Sequence, residues 1–347
     1  MEEILHYCTY FDKGYLYRGL ALYHSLVRHS PSFVLWVLCF DDATFQILTE
    51  MQLRNLRPIS LGEFEQSDNA LTRAKLNRNQ SEYYFTCSPL LPLFIFESNL
   101  NVNMVTYLDA DLFFYSSSEA IYHELGNNSV LIIEHRFPPH LRHMEVYGIY
   151  NVGLLVFRRD EQALKCLHWW RERCLEWCYD YVDNGRFADQ KYLDEWPSRF
   201  QNVVVLRHKG ANLAPWNVGN YNIHTEGSRV WVDEQPLICF HFQGFKRIMG
   251  WLYDPNLAGY NVKPSRIVRR SIYAPYIQTL LDLHRQVLTP LGGDARHSSV
   301  RYQSKPFQSK QASSFPYRVV IKFRVLLNAC RTLFARQYIL FINGRVI

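Results

Sequence analysis

The chain has 347 residues, of which 48% are hydrophobic, 15% aromatic and 20% charged. This composition excludes an intrinsically disordered protein and provides enough apolar material for one large domain with an appendage, or for two smaller domains. The net charge of +6 is a property of the C-terminal end: residues 295–347 have ten Lys or Arg and no Asp or Glu, which leaves 28 basic against 32 acidic residues elsewhere.

The eight cysteines and the N-terminus indicate a cytoplasmic protein. The cysteines lie mostly within apolar runs and include no Cys-x-x-Cys pair, so buried thiols are favoured over a zinc site. The sequence begins with Met-Glu-Glu, whereas a signal peptide begins with basic residues. No segment offers about 20 uninterrupted apolar residues, so we expect no transmembrane helix.

Strand and helix patterns alternate in the first part of the chain. We predict a strand over 4–10, a helix over 14–29, a buried strand over 34–40, a third strand over 57–61 and a largely apolar helix over 83–97. This order predicts parallel α/β units.

Two carboxylates, Asp109 and Asp111, end the next apolar run, which begins at Val105. Alternate side chains of a strand point to the same face, so the two should face the same way. Like charges this close favour a cation between them, and hard oxygen ligands suit Mg²⁺ or Mn²⁺. Ligands bind at the carboxyl ends of strands in open α/β sheets, which makes the pair a candidate metal site. A strand that simply ends in two solvated aspartates is the alternative.

Polar residues interrupt the apolar pattern at three later places. Further strands are predicted over 130–133, 153–157, 203–206 and 236–242, with a long amphipathic helix over 161–181. The interrupting residues are Asn151 with Gly153, Asp189 with Gln190, and His241 with Gly244 and Lys246. Each group alone also fits an ordinary structural role, namely a bend, a helix N-cap or a buried core histidine.

Taken in order, these motifs resemble the retaining glycosyltransferases of family 8, which includes glycogenin and the bacterial lipopolysaccharide galactosyl- and glucosyltransferases. That family has Asp-x-Asp, Asn-x-Gly, Asp-Gln and His-x-x-Gly-x-x-Lys-Pro-Trp. Here the last motif is His241-Phe-Gln-Gly244-Phe-Lys246, with a shorter spacing to Lys and without Pro-Trp. The similarity spans residues 5–253. It implies the GT-A fold, a Rossmann-like α/β class with a mainly parallel sheet flanked by helices, here followed by a C-terminal helical, basic extension.

The resemblance also implies the ligands and the residues that bind them. A nucleotide diphospho-sugar, with a UDP-sugar expected, would be the donor, and Mn²⁺ or Mg²⁺ would neutralise its diphosphate. The metal ligands would be Asp109, Asp111 and His241, with Asp109 also reaching the ribose. Gly244 and Lys246 would bind the diphosphate. The base site would be lined by Thr9, Tyr10 and Phe11, and the sugar would be contacted by Asn151, Gly153, Asp189 and Gln190, with Gln190 near the reacting carbon. Relatives place an arginine before the metal strand, for which Arg73, Lys75 and Arg78 are candidates.

The C-terminal part has a pattern of its own. We expect a catalytic domain over 1–255, a helical extension over 256–290, a flexible linker over 291–317 and a basic amphipathic tail over 318–347. On a helical wheel of residues 318–336, basic side chains occupy one half and apolar side chains the other. This favours a helix on an anionic membrane surface, at the inner face of the membrane, over packing on the protein. Nucleic acid is not an expected partner, because the apolar half is too continuous.

The predicted function is metal-dependent transfer of a hexose from a nucleotide sugar to a glycan or glycolipid acceptor, with retention, in polysaccharide or lipopolysaccharide biosynthesis. A non-catalytic nucleotide-sugar-binding protein is an alternative. A sugar-nucleotide pyrophosphorylase would need a Gly-rich, basic loop after the first strand, where the chain has Phe11-Asp12-Lys13-Gly14. A haloacid-dehalogenase-like phosphatase would place its Asp-x-Asp near the N-terminus.

Overall fold

The structure, a computed structural model, describes residues 4–288 and 337–346. The chain forms two compact units that divide between Gln243 and Gly244. The predicted linker over 291–317 and the predicted tail helix over 318–336 lie outside the described residues, and the predicted division at 255 stays a prediction.

The first unit is built around a mixed sheet. Its strands are β1 (Leu5–Phe11), β2 (Phe33–Cys39), β3 (Leu56–Ser60), β4 (Met104–Leu108), β5 (Leu112–Phe114), β6 (Val130–Glu134), β7 (Tyr150–Arg158), β8 (Val203–Leu206), β9 (Ile223–Glu226), β10 (Arg229–Val232), β11 (Gln235–Pro236) and β12 (Cys239–His241). Among the described residues, the main sheet has the order β3-β2-β1-β4-β7-β6-β8. Strand β7 is antiparallel to β4 and β6, and the other neighbours are parallel. The predicted mainly parallel sheet is therefore confirmed.

Two short pairings complete the strands of the first unit. Strands β9, β10 and β11 form a small antiparallel sheet, and β5 pairs antiparallel with β12. The second of these pairings joins the segment that follows β4 to the last strand of the unit.

Helices flank the main sheet. They are α1 (Leu16–His29), α2 (Asp42–Met51), α3 (Leu61–Gln66), α4 (Asn69–Lys75), α5 (Gln80–Cys87), α6 (Leu90–Ser98), α7 (Glu119–Leu125), α8 (Glu161–Glu176) and α9 (Trp196–Arg199), with 3₁₀ turns at Pro139–Tyr147, Lys191–Glu195 and Val218–Asn220. The helix predicted over 83–97 is in fact two helices, α5 and α6. The second begins directly after Pro89, so Pro92 falls in its first turn, where a missing N–H breaks no intrahelical bond.

Side-chain caps fix where several of these helices start. Asp41 accepts a hydrogen bond from the backbone of Thr44 at the start of α2, and Asp160 accepts one from Ala163 at the start of α8. Helix α8 ends at Glu176, earlier than the predicted 181, and the next residue is extended. These caps set the ends of the strand-to-helix turns.

The core of the first unit supports the carboxyl edge of the sheet. In α8, the ring of Trp170 stacks on Phe157 of β7 with ring centroids 6.4 Å apart, and it contacts Trp196 edge to face at 5.1 Å. The indole nitrogen of Trp170 donates a hydrogen bond of 2.8 Å to the carbonyl oxygen of Asp189. The seven cysteines within the described residues are buried free thiols, as the sequence predicted.

The second unit contains a small antiparallel sheet and a helix. The strands are β13 (Lys246–Met249), β14 (Leu252–Asp254), β15 (Ile339–Ile342) and β16 (Arg345–Val346), paired in that order. A 3₁₀ turn at Ala258–Tyr260 and a π-helical segment at Val268–Tyr273 precede α10 (Ala274–Leu288). Within the described part of the chain, no helix is long and apolar enough to cross a membrane.

Candidate functional site

A tight turn brings Asp109 and Asp111 together. Strand β4 ends at Leu108, and the backbone N–H of Leu112 donates a 3.1 Å bond to the carbonyl of Asp109. The N–H of Asp109 itself donates to the carbonyl of Gly153 on β7, at 3.0 Å. The two carboxylates do face the same region, but through this turn and not through alternation along one continuous strand.

The third member of the cluster is His241, which reaches the turn through the pairing of β12 with β5. His241 lies opposite Leu112 in this pairing. Its Nε2 atom is 3.1 Å from Asp111 Oδ1 and 3.5 Å from Asp109 Oδ2. One ligand atom from each of the three side chains lies within 4.8 Å of the others. The structure thus assembles the predicted metal ligands, two carboxylates and an imidazole, and this donor set fits Mn²⁺ or Mg²⁺.

Electrostatics divides the cluster into one strongly acidic carboxyl and one weakly acidic carboxyl. Burial raises the pKa of Asp109. The positive charge of His241 opposes this rise, and the negative charge of Asp111 adds to it. Burial alone would raise the pKa of Asp111 too, but the charge and hydrogen bond of His241, with the charge of Arg18, outweigh it and lower that pKa. Burial lowers the pKa of His241, but the negative charges of Asp111 and Asp109 outweigh burial, so the pKa is raised. The cluster therefore favours a positive charge at its centre.

A chain of side-chain amides leads from His241 to the predicted sugar-binding residues. His241 Nδ1 lies 3.2 Å from Asn212 Oδ1, and Asn212 Nδ2 donates to Asn151 Oδ1 at 2.9 Å. The same Asn151 oxygen accepts from the N–H of Gly153 at 3.0 Å, and Asn151 Nδ2 donates to Gln190 Oε1 at 3.2 Å. The structure therefore brings Asn151, Gly153 and Gln190 into one hydrogen-bonded group with His241.

Asp189 lies buried on another side of this group. Burial raises its pKa to about 7, with a hydrogen bond from Ser88 opposing the shift and the charge of Asp109 adding to it. Ser88 Oγ is also 3.0 Å from the hydroxyl of Tyr10, and the hydroxyl of Tyr107 donates to Asp109 Oδ1 at 3.0 Å. Two tyrosines from neighbouring strands thus border both carboxyl groups.

The predicted base-site residues lie at the end of β1, in different environments. Thr9 is buried, and its hydroxyl has no hydrogen-bond partner among the described residues. Phe11 packs against α1 so closely that a Cβ added to Gly19 would lie 2.1 Å from its ring. Tyr10 is partly exposed and contacts the rings of Phe40 and Tyr84. Of the three residues, Thr9 and Phe11 are buried and Tyr10 is partly exposed.

Gly244 and Lys246 belong to the second unit. Gly244 has a φ of +69°, and a Cβ there would lie 2.2 Å from the side chain of Asn256, so the position requires glycine. Lys246 is exposed at the start of β13. Their predicted roles at the diphosphate stay predictions, as do those of the base-site residues.

Three further residues contact or influence this site without having been predicted from the sequence: Asn212, His135 and Arg18. Asn212 and His135 both bond to Asn151, and Arg18 lowers the pKa of Asp111. Arg18 has a weak signal, since it is a single basic residue in the apolar stretch 15–23. Asn212 and His135 lie in irregular segments with no motif, so local sequence could not identify them.

Similar proteins of known sequence or structure identify the relatives and the fold of the chain. No family model matches it. Two uncharacterized proteins of Bacillus subtilis are similar: YfnF is 34% identical over 248 residues, covering 69% of this chain and 81% of YfnF. YfnD is 31% identical over 280 residues, covering 79% of this chain and 88% of YfnD.

Among solved structures, the galactosyltransferase LgtC in complex with donor and acceptor sugar analogs matches with a TM-score of 0.52 and 17% identity, covering 80% of this chain and 96% of LgtC. At this identity the similarity establishes the fold. The chain therefore has the GT-A glycosyltransferase fold expected from its resemblance to family 8, and it belongs to the protein family of YfnF and YfnD.

Proposed function

We propose that the protein is a metal-dependent glycosyltransferase that moves a hexose from a nucleotide diphospho-sugar, with a UDP-sugar expected, to a glycan or glycolipid acceptor. The observation that carries this proposal is the cluster of Asp109, Asp111 and His241 at the carboxyl edge of a GT-A sheet, joined by hydrogen bonds to Gln190. LgtC, which shares the fold, has been solved with donor and acceptor sugar analogs. A donor and an acceptor are the expected partners here too.

The three side chains of the cluster would form the binding site of the metal ion. Asp109, Asp111 and His241 would hold Mn²⁺ or Mg²⁺, which when bound supplies a Lewis acid for the diphosphate leaving group. The hydroxyl of Tyr107 donates to Asp109 Oδ1 and so fixes the orientation of that carboxylate. Arg18 adds positive charge beside Asp111. These contacts hold the carboxylate oxygens of Asp109 and Asp111 in place before the substrate binds. Less reorganisation of the site is then needed during the reaction.

The sugar side would be formed by Asn151, Asp189 and Gln190. Gln190 Nε2 donates to the carbonyl of Tyr147 at 3.1 Å while its Oε1 accepts from Asn151, so its carboxamide has one orientation. Asp189 has a pKa of about 7, raised by burial, so it is present in both protonation states near neutral pH. It can therefore accept a hydrogen bond from a sugar hydroxyl or donate one to it. We propose retention of configuration, with the departing phosphate taking the acceptor's proton.

A donor screen with a matched pair of variants tests this function. Hydrolysis and transfer are measured for a panel of nucleotide sugars with and without Mn²⁺, using the wild type, Asp111→Asn and the exposed control Asp42→Asn. We expect Mn²⁺-dependent turnover of one donor, unchanged in Asp42→Asn and reduced by about 10²-fold or more in Asp111→Asn, because a metal ligand that also carries charge is lost.

The same screen distinguishes the alternatives. Metal-dependent binding of a nucleotide sugar without any turnover would indicate a non-catalytic binding protein. Release of a nucleoside triphosphate on addition of pyrophosphate would indicate a pyrophosphorylase. If no nucleotide sugar is bound or turned over, with or without Mn²⁺, the enzyme proposal is wrong.

We also propose that residues 318–336 bind the anionic surface of a membrane and so place the enzyme near a glycolipid acceptor. The support is the sequence pattern, in which ten basic residues and no acidic ones occur between 295 and 347. A basic face opposite an apolar face gains both electrostatic attraction and apolar burial at a lipid surface.

A further inference from the structure

We propose that Asn212 is a positioning residue: its carboxamide fixes the imidazole tautomer of His241 and the orientation of the Asn151 carboxamide at the same time. This inference rests on the proposed function, in which His241 is a metal ligand and Asn151 contacts the sugar.

The orientation of Asn151 is set by a backbone group. The N–H of Gly153 can only donate, and it lies 3.0 Å from Asn151 Oδ1, which identifies that atom as the oxygen. The amide nitrogen of Asn151 then points the other way, to His135 Nε2 and Gln190 Oε1, both at 3.2 Å. Both of these atoms can accept, so the assignment is consistent.

The orientation of Asn212 follows from that of Asn151. Asn151 Oδ1 can only accept, so the Asn212 atom at 2.9 Å from it must be the amide nitrogen. The Asn212 oxygen therefore faces His241 Nδ1 at 3.2 Å, and this nitrogen must carry a hydrogen. An imidazole that keeps its hydrogen on Nδ1 uses Nε2 as the metal-binding atom, and Nε2 is the atom that faces Asp109 and Asp111.

Solvent water cannot replace the hydrogen-bond partners of the Asn212 side chain, because Asn212 is buried. Its side chain is fully buried, at 0% exposure. Its backbone is held by Arg136, whose guanidinium donates to the carbonyls of Ala211 at 2.5 Å and Asn212 at 3.3 Å. A buried amide that lost either bond would leave a polar group unsatisfied, so each bond helps to enforce the other.

The two ends of the Asn212 side chain can be tested separately. Asn212→Asp keeps an acceptor for His241 Nδ1 but has no donor for Asn151. Asn212→Leu has a similar volume and neither group. Asn217→Leu is the matched control, because Asn217 is equally buried and bonds to the backbone of His135, Asn212 and Ala214, but neither to the Asn212 carboxamide nor to His241.

The experiment is a calorimetric titration of each full-length protein with MnCl₂, without any nucleotide sugar, after urea unfolding has confirmed a folded state. We expect Asn212→Leu to raise the Kd for Mn²⁺ by about 10- to 100-fold, and Asn212→Asp and Asn217→Leu to stay within about threefold of the wild type. If Asn212→Leu does not fold, Asn212→Ser replaces it, since its short hydroxyl cannot span both partners.

Three results would overturn the proposal: a Kd for Asn212→Leu within about threefold of the wild type, an equal loss in Asn217→Leu, or an equal loss in Asn212→Asp. Absence of Mn²⁺ binding by the wild type would overturn it as well, together with the assignment of His241 as a ligand. A wild type that binds Mn²⁺ and transfers no sugar would contradict the proposed function alone.

Discussion

His135 is a buried histidine whose neutral form is built into the hydrogen-bond network. Its Nε2 accepts from Asn151 Nδ2 at 3.2 Å, and its Nδ1 lies 3.2 Å from the carbonyl of Ile149. Burial, opposed only in part by the bond to Ile149, lowers the pKa of His135 to about 4. In the unfolded chain the pKa of a histidine is about 6.5. Between these two values the unfolded chain binds a proton that the folded chain does not, so the free energy of unfolding decreases as the pH falls from about 6.5 to 4.

The variant His135→Gln removes this titration and keeps a side-chain acceptor. We expect the wild type to lose up to about 3 kcal/mol more stability than the variant between pH 7 and pH 4, because a pKa difference of one unit corresponds to about 1.4 kcal/mol. Urea unfolding at pH 7, 5.5 and 4 measures the difference, with His140→Gln, an exposed position, as the control. Parallel losses in the wild type and His135→Gln would contradict the prediction.

At the scale of single residues, the sequence predicts which side chains lie close together, but it does not predict which side chains fix their orientation. Short motifs placed Asp109, Asp111 and His241 in one cluster and Asn151 beside Gln190, as the structure shows. The orienting residue Asn212 bonds to Asn151 across 61 positions of sequence. No local sequence pattern predicts such a contact, because residues this far apart in the sequence come together only when the chain has folded.

Strand β7 is the element on which both sides of the site depend. It lies antiparallel between β4 and β6, and Gly153 lets it pass beside His241. A Cβ on Gly153 would lie 2.6 Å from Asn151 Oδ1 and 2.8 Å from His241 Cε1. These distances are too short for real contacts, so any side chain at this position must displace the imidazole or the amide.

Gly153→Ala therefore should weaken metal binding as well as lower the stability of the protein. We expect the Kd for Mn²⁺ to rise by about tenfold or more, with a loss of stability of about 1–3 kcal/mol from overpacking. Gly62→Ala is the control, since a Cβ on Gly62 in α3 meets no atom within 4 Å. It should leave the Kd unchanged and stabilise the protein by up to about 1 kcal/mol. Calorimetric titration and urea unfolding measure both quantities, and a Gly153→Ala variant that binds Mn²⁺ like the wild type would refute the steric argument.

Element types were easier to predict than their pairing. The seven strands of the main sheet were predicted within a few residues, because buried strands appear as continuous apolar runs. The same property hides their direction: β6 and β7 are apolar on both faces, so nothing in their sequences says that β7 runs antiparallel. The break between α5 and α6 was missed because the apolar pattern continues across Ser88 and Pro89.

At the scale of the whole molecule, positive charge is concentrated at the C-terminal end, where residues 295–347 have ten Lys or Arg and no Asp or Glu. Replacing five basic residues with glutamine tests the proposed membrane contact: Arg318, Lys322, Arg324, Arg331 and Arg336. We expect sedimentation with anionic vesicles to fall sharply, because each basic residue near such a surface contributes about 1 kcal/mol. Neutral vesicles should bind neither protein well.

The matched control replaces five exposed arginines of the first unit: Arg28, Arg54, Arg57, Arg73 and Arg142. It has the same net charge as the test variant, so equal sedimentation of the two would assign the effect to net charge and contradict a contact by residues 318–336. Both variants keep residues 337–346, because β15 pairs with β14 and completes the sheet of the second unit.

The pairing of β15 with β14 marks a limit of prediction at this scale. Residues 339–346 were expected to belong to the tail, and they form two strands. Strand β14, the partner of β15, ends at Asp254, whereas β16 pairs with β15. A short strand far from its partner in sequence has no periodic signal beyond a few apolar residues, so its pairing depends on the folded surface that it meets.

The pairing of β5 with β12 has a consequence for the order of events during synthesis. A growing chain carries both carboxylates once residue 111 has been made, but it obtains the imidazole only at residue 241, close to the end of the first unit. A nascent or truncated chain that ends before residue 241 therefore has an incomplete ligand set. Because an ion stabilises only the state that binds it, the metal would stabilise the finished unit and not its precursors. Ion binding would then require a first unit that is complete and folded.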